Sequence, residues 1–452
     1  MEQLLHYVWK HKILPLSELR TTDGRLVEVI NVGLHNTDAG PDFFNAKVKI
    51  DGTLWVGNVE IHDRSSDWYR HRHSDDPAYS NVVLHVVGEA DCAVAYPDGV
   101  HIPQIVLPVP DHVVNNYDEL VRSDSFPRCK HVLPDIPAIT VHGWMDVLRV
   151  ERLEQRTEQI MKRREVCDKN GEDTLFVTIA RNFGFGINGD AFERWANSVP
   201  LSAAGKHRDS LFQLEALFFG QAGLLAPDSI PKLYAETASE DTYLQDLRKE
   251  YRFLQQKFSI SPMDSSLWRF LRLRPQNFPH IRIAQLAMLY YEQRLKLSRL
   301  VDAESIPEVC ELLKTHVSDY WRTHYTFAST ESPSIDKNLS AASLNLLIIN
   351  SVSPMLFAYG RYKGEEHLCE RAISFLESLA PESNRIIRSW DSAGIRCESA
   401  ADSQALIQLT RNYCEPHNCL RCRFGNEFIR RTPDLLREEE GMEELKIKNL
   451  IV

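Results

Sequence analysis

The sequence predicts an α+β protein, in which a mixed segment of about 110 residues precedes a larger, mainly α-helical region. Two patterns indicate this division. Residues 43–50 and 53–62 alternate apolar and polar side chains with a period of two, whereas after Pro137 apolar residues recur every three or four positions. Hydrophobic residues are 43% and charged residues 25% of the 452 residues, which is typical of a folded globular chain.

The mixed segment is predicted to follow the order helix, strand, strand, strand, helix, strand. The turn Asp51-Gly52 should join the second and third strands into a hairpin, because Asp-Gly favours the tight turn between paired strands. The apolar run after Asn81 predicts the last strand. The expected bounds are helix 2–11, strands 26–30, 43–50 and 53–62, a helix within 63–79, and strand 81–87.

Closely spaced prolines between residues 97 and 110 mark a change in the character of the chain. We therefore expect one domain at 1–125 and a helical domain at 126–452 that ends in a cysteine cluster. The acidic run 438–448 should be a frayed helix or tail. Helices are expected at 141–166, 172–183, 188–197, 208–224, 239–258, 280–300, 305–323, 338–359, 364–378 and 400–413.

Charge and apolar patterning exclude several classes of protein. A net charge of −11 argues against broad electrostatic binding of nucleic acid, although it leaves room for a local basic groove. The most apolar run, 344–359, is broken by polar residues and is shorter than a membrane span of about 20 residues. Nine cysteines without a secretory signal predict reduced thiols and a cytoplasmic location, without a membrane. A protein partner cannot be identified from these patterns.

Two carboxylates are the strongest candidates for chemistry. Asp42 begins one predicted strand and Glu60 lies on the next, with His62 two residues further on. Side chains alternate faces along a strand, so Glu60 and His62 should face one site while Ile61 packs into the core. Carboxylate oxygens are preferred ligands of Mg²⁺ and Mn²⁺, so Asp42 and Glu60 predict such a site. The alternative is a tight turn followed by a solvent-facing strand edge.

Three further histidines lie close in sequence to this pair. His71 and His73 could join His62 in a zinc site. However, residues two apart on a helix point in different directions, which favours exposed or hydrogen-bonded histidines instead. His85, in an apolar strand, is expected to be a core histidine.

A second candidate metal site is built from cysteines near the end of the chain. Three of them form a C-x4-C-x2-C array: Cys414, Cys419 and Cys422. Zinc or an iron–sulfur cluster requires four ligands. Cys129 is the preferred fourth ligand, because it lies at the predicted domain junction, with His417 and Cys397 as alternatives. Unliganded thiols are the remaining possibility.

An arginine-rich segment carries a third hypothesis. It has no acidic residue, contains two phenylalanines, and places arginines at Arg269, Arg272, Arg274 and Arg282. Arginine beside aromatic rings can hold phosphates and stack on bases, so the segment is a candidate nucleic-acid contact. The same residues could instead anchor two helices through buried salt bridges.

The motifs Gly40-Pro41-Asp42 and Glu60-Ile61-His62, in the order αβββαβ, resemble the restriction-endonuclease-like or PD-(D/E)xK nuclease superfamily over about residues 1–95. The resemblance implies that Asp42 and Glu60 bind Mg²⁺ and that His62 replaces the lysine that activates water. Over nearly the whole chain, segments such as Leu84-His-Val-Val87 and Arg274-Pro-Gln-Asn-Phe-Pro279 are similar to a bacterial family labelled domain of unknown function 2851.

These observations predict a Mg²⁺- or Mn²⁺-dependent nuclease that hydrolyses phosphodiester bonds in DNA or RNA. Two alternatives remain open at the level of sequence. One is a nuclease-like binding or scaffold protein that has lost catalysis. The other is a zinc-dependent hydrolase that uses His62, His71 and His73.

Overall fold

The computed structural model describes residues 1–13 and 18–431, and shows a mixed α+β protein with an N-terminal sheet and many helices. Its residues form two compact units. The first comprises the described residues of Met1–Val141 and Thr410–Val452, and the second is His142–Leu409. The domain division at residue 125 stays a prediction, and the acidic run 438–448 lies outside the described residues.

The first unit contains a seven-stranded sheet. Its strands are β1 Leu19–Arg20, β2 Leu26–Asn31, β3 Leu34–His35, β4 Phe43–Ile50, β5 Thr53–Arg64, β6 Val82–Glu89 and β7 Gln104–Val106. They lie in the order β1-β2-β4-β5-β6-β7, with β3 paired to β4. The predicted hairpin is confirmed: β4 and β5 are antiparallel, and Asp51 and Gly52 both have positive φ. β5, β6 and β7 are parallel neighbours.

Helices of the first unit agree only partly with the sequence. The predicted first helix is confirmed as Glu2–Lys10, whose apolar side chains are buried. The helix expected within 63–79 is confirmed only as the single turn Asp67–Arg70, and two 3-10 turns follow it in place of a regular helix. The helix Asp111–Arg122 and the short strand β7 lie in or after the proline-rich stretch, where periodicity is too short to predict them.

The C-terminal segment of the described chain belongs to the first unit. It forms a π turn at Thr410–Cys414, a 3-10 turn at Cys419–Arg421 and the helix Arg423–Ile429. The amide of Asn116 donates hydrogen bonds to the carbonyl oxygens of three residues in or beside this helix: Phe428, Ile429 and Arg431. The hydroxyl of Tyr7 donates to Asn426 at 2.5 Å. These bonds fix the segment against residues distant in sequence.

The second unit is helical and encloses one large apolar core. Two predicted helices, 280–300 and 305–323, are each divided in two. The break in the predicted helix 280–300 includes Gln293, whose positive φ of 56° is incompatible with a continuing helix. The α-helices that lie in or run into this unit are Ala138–Val166, Gly171–Phe183, Gly189–Ser198, Leu201–Lys206, Leu211–Gln221, Ala235–Glu240, Thr242–Phe258, Pro279–Tyr291, Leu297–Asp302, Ile306–Leu313, Asp319–Thr323, Ala341–Leu347, Ser353–Lys363, Glu366–Ser378, Arg385–Asp391 and Ala400–Leu409.

Among the described residues, one helical stretch is long and apolar enough to cross a membrane, by length and composition alone. Ala341–Lys363 has a mean hydropathy of 1.5 in its most apolar window, but 61% of that window is buried inside the protein. A π turn at Ile348–Val352 joins its two α-helical parts. Such burial is typical of a helix in the core of a folded domain.

A buried histidine in the second unit gives a prediction about pH. His280 lies among the rings of Phe219, Trp321 and Phe327, and burial lowers its pKa to about 3. The unfolded chain binds a proton near pH 6.5 and the folded chain does not, so stability is lost as pH falls below 6.5. When the pH is lowered from 7 to 5, the unfolding free energy of wild type should therefore fall by about 2 kcal/mol more than that of His280→Phe.

Urea unfolding at the two pH values measures this difference. The matched control is His367→Phe, since the His367 side chain is 62% exposed. Equal pH responses of wild type and His280→Phe would contradict the expected role of His280.

Candidate metal centre and adjacent cavity

Asp42 and Glu60 are brought together by the hairpin, and each is held by the backbone of the other strand. The Asp42 amide donates to Glu60 Oε2 at 3.1 Å, and the Ile61 amide donates to Asp42 Oδ2 at 2.9 Å. The amide of Asn36 donates to three carbonyl oxygens of the preceding loop and so fixes the approach to β4. The two carboxylates therefore occupy defined positions at one point of the sheet.

His62 lies on the same face of β5 as Glu60. Its Nε2 is 3.6 Å from Glu60 Oε1, and both side chains are almost fully buried. Ile61, between them, is also buried and belongs to the opposite face. The alternation of strand side chains thus gives the arrangement of this part of the site.

His71 and His73 reach the same point through a turn, not through a helix. The helix ends at Arg70, and Arg72 adopts the left-handed conformation with φ 60°. This reversal lets two residues that would diverge on a helix face the same side. The His73 ring stacks on Tyr79 at 3.8 Å, and the Trp68 indole N–H donates to Ser74 at 3.0 Å, so the turn is packed in place.

The three imidazoles converge with the Glu60 carboxylate. His62 Nε2 is 3.2 Å from His71 Nδ1 and 3.3 Å from His73 Nε2, and these three ligand atoms all lie within 4.8 Å of one another. His73 Nε2 is also 3.3 Å from Glu60 Oε1. Three nitrogens and a carboxylate oxygen at one point form a suitable ligand set for a divalent transition metal.

Electrostatics at this point favour binding of a cation. Burial, with a smaller contribution from the nearby Asp42, raises the pKa of Glu60 to about 9. Burial likewise raises the pKa of Asp42 to about 6, opposed by the Ile61 amide. Burial and four neighbouring imidazoles lower the pKa of His62 to about 2. Burial disfavours the ionised forms of both carboxylates in the metal-free protein. A bound divalent cation would stabilise these ionised forms, and the neutral imidazole beside them can act as a ligand.

A buried pair behind His62 determines which of its nitrogens is free. His85 pairs in register with Gln104 on β7, and His85 Nε2 is 2.8 Å from His62 Nδ1. The Gln104 amide donates to the Cys92 carbonyl, which leaves its oxygen, Oε1, as the acceptor toward His85. Burial lowers the pKa of His85 to about 4, and a hydrogen bond to the Gln104 side chain opposes this effect. With its Nδ1 proton directed to Gln104, His85 accepts from His62 Nδ1 through Nε2. The lone pair of His62 Nε2 is left pointing at the site.

A cavity of about 350 Å³ lies next to this centre. His6 belongs to both, because it lines the cavity and its Nε2 is 3.5 Å from Asp42 Oδ2. The cavity also contains Lys10 and Arg421, both exposed, and neither forms an ion pair within the part of the chain that the structure describes. Glu2 is its single acidic lining residue. The cavity is therefore cationic, although the protein as a whole is acidic.

The other candidate residues lie elsewhere. The four predicted cysteines line one small cavity in the first unit: Cys129, Cys414, Cys419 and Cys422. Arg269, Arg272 and Arg274 are exposed on the second unit. Arg282 is only 4% exposed, and its guanidinium donates to the side-chain oxygens of Gln285 and Asn277 inside that unit. These partners are neutral amides, not the acidic residues of the buried salt bridges that the structural alternative expected.

Sequence reasoning did not identify Lys10 and Arg421 as site residues. They are separated by most of the chain; Lys10 belongs to no motif, and Arg421 lies within the cysteine array, which was assigned to a separate metal site. Sequence reasoning favoured exposed or hydrogen-bonded roles for His71 and His73, since it expected a regular helix after β5, and kept their zinc site as an alternative. It expected His85 to be a core histidine, and His85 is fully buried on β6. The only sequence signal that could have indicated the histidine cluster was the density of histidines between 62 and 85.

Comparison with known proteins identifies a family without an activity. Searches of curated proteins and of solved structures found no match. One family model matches residues 2–385, a range that includes Asp42, Glu60 and the four clustered histidines. Because that match covers most of the chain, the protein belongs to the family described as Protein of unknown function (DUF2851).

Proposed function

We propose that the first unit is a metal-dependent nuclease that hydrolyses phosphodiester bonds in DNA or RNA. The observation that carries this proposal is the convergence of Asp42, Glu60 and three imidazoles beside a cationic cavity. Carboxylates and imidazoles hold the metal, while the cavity supplies positive charge for a phosphate-rich substrate.

The proposed fold of the unit is a restriction-endonuclease-like core. Its main elements follow the order helix, three strands, helix, strand, with β5 and β6 parallel across the short helix Asp67–Arg70. Asp42 and Glu60 lie on neighbouring antiparallel strands, as the PD-(D/E)xK arrangement requires. The same proposal includes a cytoplasmic location, where cysteines stay reduced.

The ligand set favours Mn²⁺ or Zn²⁺ over Mg²⁺. Mg²⁺ prefers oxygen ligands, whereas imidazole nitrogens suit transition metals. Three imidazole nitrogens at this point therefore support a softer ion than the sequence motif implies. They also favour, as a second candidate, a zinc-dependent hydrolase; the cationic cavity argues for a phosphate-containing substrate in either case.

His62 has a different role from the lysine of the superfamily motif. With a pKa lowered to about 2 by burial, its imidazole is neutral at physiological pH and cannot supply a fixed positive charge. Its free Nε2 makes it a ligand. A bound divalent cation would lower the pKa of a water molecule and neutralise charge on a phosphate oxygen. Lys10 and Arg421 hold and orient the remaining phosphates of the substrate.

A cleavage assay tests the proposal. Purified protein, stripped of metal with a chelator, is incubated with labelled single-stranded and double-stranded DNA and RNA. We expect cleavage to be restored by Mn²⁺ or Zn²⁺ more than by Mg²⁺. Binding of nucleic acid without cleavage under every metal would refute the enzyme and favour the scaffold alternative.

Lys10 and Arg421 should set the salt dependence of substrate binding. If both contact phosphates, the double variant Lys10→Ala/Arg421→Ala should bind every sequence more weakly. The slope of log affinity against log salt should fall in magnitude by about two, roughly one for each lost contact. Fluorescence anisotropy with a labelled oligonucleotide in Ca²⁺ measures this slope without cleavage.

The control for this measurement is Arg122→Ala, since the Arg122 side chain is 80% exposed on the same unit and lies outside the cavity. An unchanged slope in the double variant would show that nucleic acid does not enter the cavity.

A further inference from the structure

Four thiols from two distant parts of the chain surround one small cavity of about 20 Å³ in the first unit. Cys129 precedes a 3-10 turn, and the other three lie between the π turn Thr410–Cys414 and the helix Arg423–Ile429. Pro127, Tyr413 and Gly425 complete much of the lining, which is almost entirely apolar. Four cysteines around an apolar space match the ligand number of a metal–thiolate centre.

The spacing of the sulfur atoms distinguishes a cluster from a single ion. Tetrahedral zinc with Zn–S bonds of about 2.3 Å holds its sulfurs about 3.8 Å apart, which leaves no room for a body as large as water between them. Here the thiols leave a water-sized space. Apart from the group around His62, no three ligand atoms of His, Cys, Asp or Glu in the described residues lie within 4.8 Å of one another. These thiols are therefore more widely spaced than zinc requires.

The sequence spacing agrees with this distinction. Cys414, Cys419 and Cys422 form C-x4-C-x2-C, which is the spacing of three thiolate ligands in plant-type ferredoxins. The fourth ligand comes from elsewhere in the chain in both cases, although Cys129 precedes the array in this protein. The backbone of the loop is tightly held, because a side chain at Gly425 would collide with the Cys419 carbonyl.

A positive charge lies beside the four thiols. Arg128 lines the same cavity, and its guanidinium donates hydrogen bonds to the carbonyl oxygens of Leu120 and Val121. A guanidinium in this place would offset part of the negative charge of a thiolate-ligated cluster.

We propose that Cys129, Cys414, Cys419 and Cys422 ligate an iron–sulfur cluster that fastens the C-terminal segment to the N-terminal sheet unit. The loop that carries three of these ligands also carries Arg421 and His417 into the cationic cavity. The cluster thereby holds cavity-lining residues in position. Its existence is independent of the nuclease proposal, since it is measured by composition and spectroscopy.

The first test needs no variant. The full chain is expressed with added iron, purified without oxygen, and analysed for iron, acid-labile sulfide and zinc, together with visible absorption and electron paramagnetic resonance after reduction. We expect iron and sulfide in equal amounts, bound to the protein, with a broad visible absorption band. Protein that is purified without a cluster is incubated without oxygen with iron and sulfide and analysed again. Stoichiometric zinc, iron without sulfide, or no metal after this reconstitution would each overturn the proposal.

Variants then test the ligand set. Cys129→Ser and Cys419→Ser should each lose most of the iron, sulfide and visible absorption, whereas Cys92→Ser, in the same unit but outside this cavity, should keep them. Circular dichroism confirms that each variant is folded. If Cys129→Ser does not fold, Cys419→Ser decides. A folded Cys419→Ser that retains a full cluster would overturn this ligand set.

Discussion

Replacing Glu60 with Gln should reduce metal-dependent cleavage by at least about 100-fold, because Glu60 is the carboxylate that meets the imidazoles. The amide keeps the size of the side chain and can still accept the hydrogen bond from the Asp42 backbone. It cannot carry the negative charge that a divalent cation needs. Initial cleavage rates at saturating Mn²⁺ measure the loss, and His73→Ala should show a similar one.

Stability separates this loss from unfolding. Glu60 is buried and its pKa is raised to about 9, so its charged form destabilises the metal-free protein as pH rises from about 4.5 to 9. Without metal, Glu60→Gln should therefore unfold at the same temperature as wild type or higher near pH 8. His101→Ala, an exposed histidine of the same unit, should change neither quantity. Full activity in Glu60→Gln would exclude Glu60 as a ligand.

Replacing His85 with Phe should weaken binding of Mn²⁺ or Zn²⁺ by about 10- to 100-fold, although His85 does not contact the proposed metal. The reason is the hydrogen bond between His62 Nδ1 and His85 Nε2. It keeps the proton on Nδ1 and leaves Nε2 free as a ligand. Phenylalanine fills the buried site but removes the acceptor, so His62 loses its fixed orientation. Titration calorimetry on the chelator-treated protein measures the affinity.

Gln104→Met is the companion variant, since it removes the acceptor beyond His85 together with the hydrogen bond that the Gln104 amide donates to the Cys92 carbonyl. We expect a smaller decrease in metal affinity in this variant, with the Tm of both variants measured to exclude general unfolding. Unchanged metal affinity in a folded His85→Phe protein would show that His85 only fills the core, as the sequence pattern suggests.

Local patterns in the sequence were sufficient for the hairpin and for the first two site residues. Asp51-Gly52 favours positive φ at both turn positions, and period-two alternation sets which side chains face together. Glu60 and His62 therefore meet because they are two apart on one strand. The turn and the alternation of side chains both depend on residues that are close in sequence, so a short segment is sufficient to predict them.

Only the tertiary structure decided which distant residues complete the sites. His71 and His73 converge on His62 because Arg72 adopts a left-handed conformation after a single helical turn, which periodicity does not reveal. The cationic cavity and the four-cysteine cavity both need a C-terminal segment packed on the N-terminal unit. Such contacts arise from the burial of apolar surface and from hydrogen bonds between residues hundreds of positions apart, so no local pattern in the sequence specifies them.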